Sequence, residues 1–227
     1  GITVEGANIL TRSMIIYGQG AIRCHPFVRE EMEAIALGDV ERFDRAFYSH
    51  VGFVASTAVR AVFLALTGGR VVPMPRPIAV SSTVSGLVTR RAPRGLVRDG
   101  LRLFTRLSAT FALVSDTAMA VLGGTLKRRE KISGRLADAL AWMYLGSAAM
   151  KRYHDEGEPA RDRSFAEWSI RHAAYEAERA IAGLLDNFPN RPVAWLLGVL
   201  VFPFGARLRP PSDRLGSQVA RTILENQ

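Results

Sequence analysis

Apolar residues recur at three- and four-residue steps through most of the chain, a period that belongs to helices with one buried face. Val40, Phe43, Phe47, Val51, Val54, Ala58, Ala61 and Ala65 follow it. They predict a helix from about residue 40 to 66 with those side chains inward, Asp39 as its N-cap, and Gly68 with Gly69 as its stop. Phe104, Leu107, Phe111, Val114, Ala118 and Val121 predict a second long helix from Gly95 to Leu122, ended by Gly123 and Gly124. Ile132, Leu136, Leu140, Met143, Ser147 and Met150 predict a third, Leu126 to Glu156, which the tight Gly-Gly link folds back antiparallel to the second. A fourth runs to about Asn187 with Ala174, Ala177, Ile181, Leu184 and Phe188 inward, and Ser164 with Glu167 is expected to open it as a capping box. Trp142, Trp168 and Tyr175 then belong to bundle packing.

Shorter pieces flank these. Ile9, Met14, Ile15, Ile16 and Ile22 make an apolar helical segment from Asn8 to about His25, interrupted by Gly18 and Gly20. Pro26 suits the first turn of a following helix that Gly38 closes, and Ser212 suits the cap of a last short one. Between Arg70 and Pro93 the period fails: Pro73, Pro75 and Pro77 exclude a regular helix, while Ile78 to Val88 suits an extended or strand-like path. The expected class is therefore all-α, an antiparallel helical bundle of long amphipathic helices with one long Pro/Arg-rich loop. Connections of that length are commonly functional or mobile, and this one is expected across the surface.

The 227 residues are 48% hydrophobic and 22% charged, a globular balance with room for a sizeable core. The net charge is +9 at pH 7, and it is unevenly placed. No acidic residue occurs between Asp44 and Asp99, where Arg45, Arg60, Arg70, Arg76, Arg90, Arg91, Arg94 and Arg98 all fall. Such a field attracts lipid headgroups, coenzyme A phosphates or other polyanions, and it also serves plain solubility. Nucleic acid is not an expected partner, because charge alone points to it and no basic–aromatic interleaving accompanies the charge. No uninterrupted run of roughly 18 or more apolar residues occurs, so no transmembrane helix is expected. Pro192 to Ala206 is a charge-free stretch flanked by Arg191, Arg207 and Arg209. It suits either a membrane interface, with Trp195 at headgroup level, or burial in the core or a dimer contact.

Few groups invite chemistry. The single cysteine, Cys24, excludes an internal disulfide, is expected to pack inside and fits a reducing compartment; the expected location is cytoplasmic, either free or peripheral at the inner membrane. His50 reads as a core-edge histidine with no second ligand at matching spacing, and His154 and His172 stand alone. Asp116 lies between apolar turns and would need a partner such as an Arg if buried. There is no GxxxxGK phosphate loop, no strand-borne GxGxxG and no Gly-x-Ser-x-Gly turn. Glu5 remains, followed by Gly6 and by Asn8 as a helix cap. Locally it is either a solvated helix entry or a carboxylate held against a bound molecule.

The run TVEGANILTRSMIIYGQGAIRCHP resembles the segment carrying the catalytic base in acyl-coenzyme A dehydrogenases, whose usual pattern is Tyr-Glu-Gly-Thr before a helix containing an Arg. With LKRREKISGRLADALAWMYL and NFPNRPVA the likeness extends over essentially the whole chain, to the large bacterial long-chain enzymes that have a helical C-terminal extension. The resemblance implies a C-terminal fragment of such an enzyme: residues 1–37 the end of the catalytic domain, residues 38–227 the extension. It implies FAD as cofactor, fatty acyl-coenzyme A as substrate, an electron-transfer acceptor and a homo-oligomer. It makes Glu5 the acceptor of the α-proton, puts Gly6 beside the thioester, and brings Ala7, Asn8 and Ile9 to FAD. Val4 and Ala7 depart from the usual Tyr and Thr, and the second change removes a hydroxyl from the cofactor contact. The alternative is a non-catalytic helical module for membrane-surface docking or oligomer assembly.

Overall fold

The computed structural model describes residues 11–73, 79–80, 88–89 and 95–225. These form the expected all-α bundle. The N-terminal helix, α1, is wound with π-type bonds over Thr11–Gln19 and as α-helix over Gly20–Cys24. After a corner at His25 come α2 (Val28–Leu37) and α3 (Val40–Thr67). Helix α4 (Gly95–Leu122) continues through a 3-10 segment, Gly123–Arg128, into α5 (Glu130–Asp155). A second 3-10 turn, Ala160–Asp162, precedes α6 (Arg163–Asp186), followed by α7 (Arg191–Val201) and α8 (Asp213–Glu225). Within the long loop two short strands, Ala79–Val80 and Val88–Thr89, pair antiparallel with Ala79 opposite Thr89. The rest of the Pro/Arg-rich stretch from 74 to 94 lies outside the described residues.

Several boundaries follow local chemistry. The Asp39 side chain accepts from the Arg42 N–H at 2.9 Å, as an N-cap should. Gly38 and Gly68 close α2 and α3 in the left-handed conformation, φ 67° and 59°, where a Cβ would be strained. Asn190 caps α7 through Val193 N, and Pro192 sits in its first turn. Two starts differ from expectation. Helix α2 begins at Val28 because the His25 ring, and not Pro26, organises the corner: its Nδ1 accepts from the N–H groups of Phe27 and Val28. Helix α6 begins at Arg163, so Ser164 lies inside the first turn and no capping box forms.

Helices α5 and α6 make the most extensive pair, with α4 laid against both and α3 on the far side of α4. Two clusters fill the space between. One joins α1, α3 and α7 to the middle of the bundle through Tyr17, Leu64, Leu113, Leu136, Ile181, Leu184, Phe188 and Val201. The other, built on Val97, Phe104, Leu107, Met150 and Ile170, fills the end of the bundle where α4, α5 and α6 meet. Gly146 permits that meeting: a Cβ there would overlap the Phe104 ring and stand 2.8 Å from Ala173 Cβ. Across the same layer Glu178, 1% exposed, accepts from Arg106 Nη2 at 2.6 Å and from Leu208 N at 2.7 Å, tying α6 to α4 and to the crossing before α8.

The inward face of α3 is a correction. Ala46, Thr57, Ala61, Leu64 and Ala65 are buried, whereas Val40, Phe47 and Val51 are exposed. The helix is apolar nearly all round, and its small residues face inward because they let neighbouring backbones approach closely. A second correction concerns length and polarity. Helix α3 and the segment Gly95–Arg128 are both long and apolar enough to cross a membrane, by length and composition alone. Isolated charges such as Arg60 break the strict apolar run without lowering the average enough to exclude them. Half of the apolar window of the second is buried in the bundle, against 22% of that of α3.

Candidate functional site

Glu5, Gly6, Ala7, Asn8 and Ile9 lie outside the described residues. What is described is the seat of the helix that follows them. The Arg12 guanidinium makes a two-pronged hydrogen-bonded ion pair with Asp138 of α5. It lies over Gly134, whose missing side chain leaves room: a Cβ there would come within 3.2 Å of Arg12 Cζ. The hydrogen bonds to Asp138 raise the Arg12 pKa still further. Tyr17, 2% exposed, shares a 2.8 Å hydrogen bond with Ser115 of α4. Burial pushes the phenol up to about 12, the Ser115 hydrogen bond opposes that, and the neighbouring Asp116 charge adds to it.

About two turns further on, α1 ends against a polar cluster drawn from its own corner and from α2, α3 and α4. His25, at the corner, meets Asp116 of α4 through Nε2 and Oδ1 at 3.0 Å. Because Nδ1 accepts two backbone N–H bonds, the ring proton sits on Nε2 and is donated to the carboxylate. The His50 ring from α3 stands 4.7 Å from the His25 ring, and its Nδ1 lies 2.8 Å from Glu31 Oε1 of α2. Phe27 stacks on His50, and Phe53 closes the side of His25. The side chains of Asp116, His25, Glu31 and His50 are 5%, 9%, 16% and 20% exposed. Two atoms of this cluster stay buried without a partner among the described residues, His50 Nε2 and Asp116 Oδ2.

Asp116 thus finds a histidine where an arginine was expected. Sequence spacing missed this grouping: His50 does have neighbours of ligand type, but they arrive from other helices. The signal that was present is Asp116 itself, a carboxylate in an apolar stripe. Cys24, expected inside, is exposed; the chain turns outward there and buries the following histidine instead. His154 pairs with Glu158, and His172 packs between Trp142 and Trp168. Of the charge-free stretch, α7 buries Ala194, Leu197 and Val201 and leaves Trp195, Leu196 and Val199 exposed, as is Phe204 beyond its end. Beside it, an open cleft is lined by Gly68, Arg70, Arg106, Phe202 and Arg207.

A protein-family model described as the bacterial-type C-terminal domain of acyl-CoA dehydrogenase matches residues 22–227. The chain belongs to this family. The matched region starts beyond the Glu5 motif and includes His25, His50 and Asp116, so the cluster lies within the acyl-CoA dehydrogenase C-terminal domain. No solved structure matches the chain. The family is one of oxidoreductases that are generally FAD-dependent, act on acyl-coenzyme A and form oligomers.

Proposed function

We propose that this chain is the C-terminal part of a flavin-dependent enzyme that oxidises fatty acyl-coenzyme A to the trans-2-enoyl thioester in fatty acid β-oxidation. The observation that carries the reading is the family match over residues 22–227; the Glu5-Gly6 pair lies upstream of it. Residues 1–37 are the end of the catalytic domain, and residues 38–227 an extension.

FAD, when bound, supplies the acceptor for the β-hydrogen. The chain's own part is the proton: the Glu5 carboxylate takes it from the α-carbon, Gly6 borders the thioester, and Ala7, Asn8 and Ile9 approach the cofactor. A carboxylate can do this where desolvation raises its pKa toward that of a weakly acidic C–H. On this reading most of the flavin and acyl pocket comes from the rest of the catalytic domain, and this chain alone is inactive. Its task is to seat α1 through Arg12, Tyr17 and His25, and thereby to hold the base. An electron-transfer acceptor regenerates the cofactor. In the full-length enzyme, long-chain acyl-coenzyme A bleaches the flavin anaerobically and Glu5→Gln abolishes the bleaching. Normal bleaching by that variant defeats the assignment.

A second reading is favoured by one observation, the outward face of α3. Phe47, Tyr48, Val51, Val59, Phe63 and Leu66 are exposed there, with Arg45 and Arg60 alongside. An apolar face of this kind marks an interaction surface. The extension would then dock the enzyme peripherally on an anionic inner-membrane surface or assemble oligomers. Flotation with vesicles containing anionic lipid separates these: salt-sensitive binding supports docking, and its absence leaves oligomer assembly.

A further inference from the structure

His50 and Asp116 each keep one buried polar atom without a partner among the described residues, and ligand atoms of the two residues lie within 4.8 Å of one another. His50 Nδ1 is engaged by Glu31, which leaves Nε2 as the free ring nitrogen, buried and without a partner among the described residues. Asp116 Oδ1 is occupied by the His25 N–H, which leaves Oδ2 equally buried and free. With the His50 ring neutral and its Nδ1 proton given to Glu31, Nε2 and Oδ2 are both acceptors and cannot satisfy one another. Glu31 and Asp116 are both largely buried carboxylates, and among the described residues the cluster's hydrogen bonds include no lysine or arginine. Leaving such charge unpaired is costly. The space therefore asks for a cation that accepts electron pairs from nitrogen and oxygen.

We propose that His50 Nε2 and Asp116 Oδ2 bind a divalent transition-metal ion of the zinc class, with water in the remaining positions. Imidazole with carboxylate suits zinc, cobalt or nickel better than the all-oxygen sites of calcium and magnesium. Two ligand atoms at about 2.1 Å from a tetrahedral ion stand about 3.4 Å apart. The candidate ligand atoms of His25, His50 and Asp116 all lie within 4.8 Å of one another, so small side-chain rotations close the site. Glu31 and His25 are its outer partners: one fixes the His50 ring and its tautomer, the other orients the carboxylate. His25 itself stays outside the coordination sphere, because its Nδ1 is committed to the backbone of α2 and its Nε2 carries the proton. The ion joins α3 to α4, and its outer partners extend the join to α2 and to the corner that ends α1. It is a structural staple beneath the N-terminal helix, and it does not depend on the acyl-coenzyme A reading.

The test is a Co2+ titration of the full chain after chelator dialysis. One equivalent is taken up with visible d–d absorption, one equivalent of Zn2+ displaces it, and Zn2+ raises the unfolding temperature. His50→Ala and Asp116→Ala lose that equivalent, and Glu31→Gln weakens binding about 10–100-fold, as outer partners of metal sites do. Circular dichroism establishes that each variant is folded. The wild-type titration decides even if a variant is not: no stoichiometric uptake overturns the proposal. Full uptake by folded His50→Ala also overturns it and moves the metal to another site, such as one at His154 or His172. Flavin reduction plays no part in either readout, so failure here leaves the assignment of Glu5 untouched.

Discussion

Tyr17 offers a pH-dependent measure of how firmly α1 is seated. Its phenol is buried against α4, with a pKa pushed up from 10.0 to about 12, first by desolvation and then by the Asp116 charge, with the Ser115 hydrogen bond opposing. Below pH 10 the group is neutral in both folded and unfolded chains, and its contribution to stability is fully present. Above that, the unfolded chain releases the proton while the folded chain cannot until the pH reaches about 12. Stability contributed by Tyr17 is therefore lost as pH rises through this window, at about 1.4 kcal/mol per unit, or about 2–3 kcal/mol in all. Urea unfolding of wild type and Tyr17→Phe between pH 8 and 12.5 isolates the effect from other titrating groups. At pH 8 the variant is less stable by about 1 kcal/mol, because the Ser115 hydroxyl loses its partner. The gap then narrows with pH and reverses. A gap that stays constant to pH 12 refutes the burial of Tyr17 and the seat built on it.

Other consequences concern the bundle itself. Glu178→Ala strands Arg106 and the Leu208 N–H and is expected to cost about 3–5 kcal/mol in denaturant unfolding. Pairing it with Arg106→Met recovers much of that loss, and additive losses would show that the two do not act together. Gly146→Ala drives a methyl group into Phe104 and Ala173, for an expected loss of about 1–3 kcal/mol, visible as a lowered unfolding midpoint. Gly124→Ala, where a Cβ meets nothing within 4 Å, serves as its control.

The legible parts of the fold were those governed by local chemistry. Asp39, Gly38 and Gly68 mark helix ends through backbone geometry and hydrogen bonds that need no distant partner, and the helix from near Gly95 to Leu122 follows its apolar period, apart from the exposed Val121. The face of α3 was not legible in the same way. A helix with apolar residues on every side leaves the choice of inward face to its neighbours, and α4 and α7 take the small residues. Ser164 failed as a cap because Asp162 and Arg163 already continue from the 3-10 turn into the helix. The polar cluster was the hardest to foresee, since His25, His50 and Asp116 meet only after α1, α3 and α4 have packed. Asp116 was the one residue whose position announced an unmet need, and its partner proved to be an imidazole. For the base, the motif around Glu5 was readable only through family likeness, because one carboxylate before a glycine has no distinctive spacing.

Glu5 is proposed to remove the α-proton of a fatty acyl thioester. Anaerobic stopped-flow bleaching of the flavin in the full-length enzyme, with long-chain acyl-coenzyme A protonated or deuterated at the α-carbon, tests it directly. The expected result is a primary isotope effect on bleaching by the wild type and no bleaching by Glu5→Gln that still binds flavin. Bleaching by Glu5→Gln at the wild-type rate, with the isotope effect intact, would contradict it and assign the proton to another base.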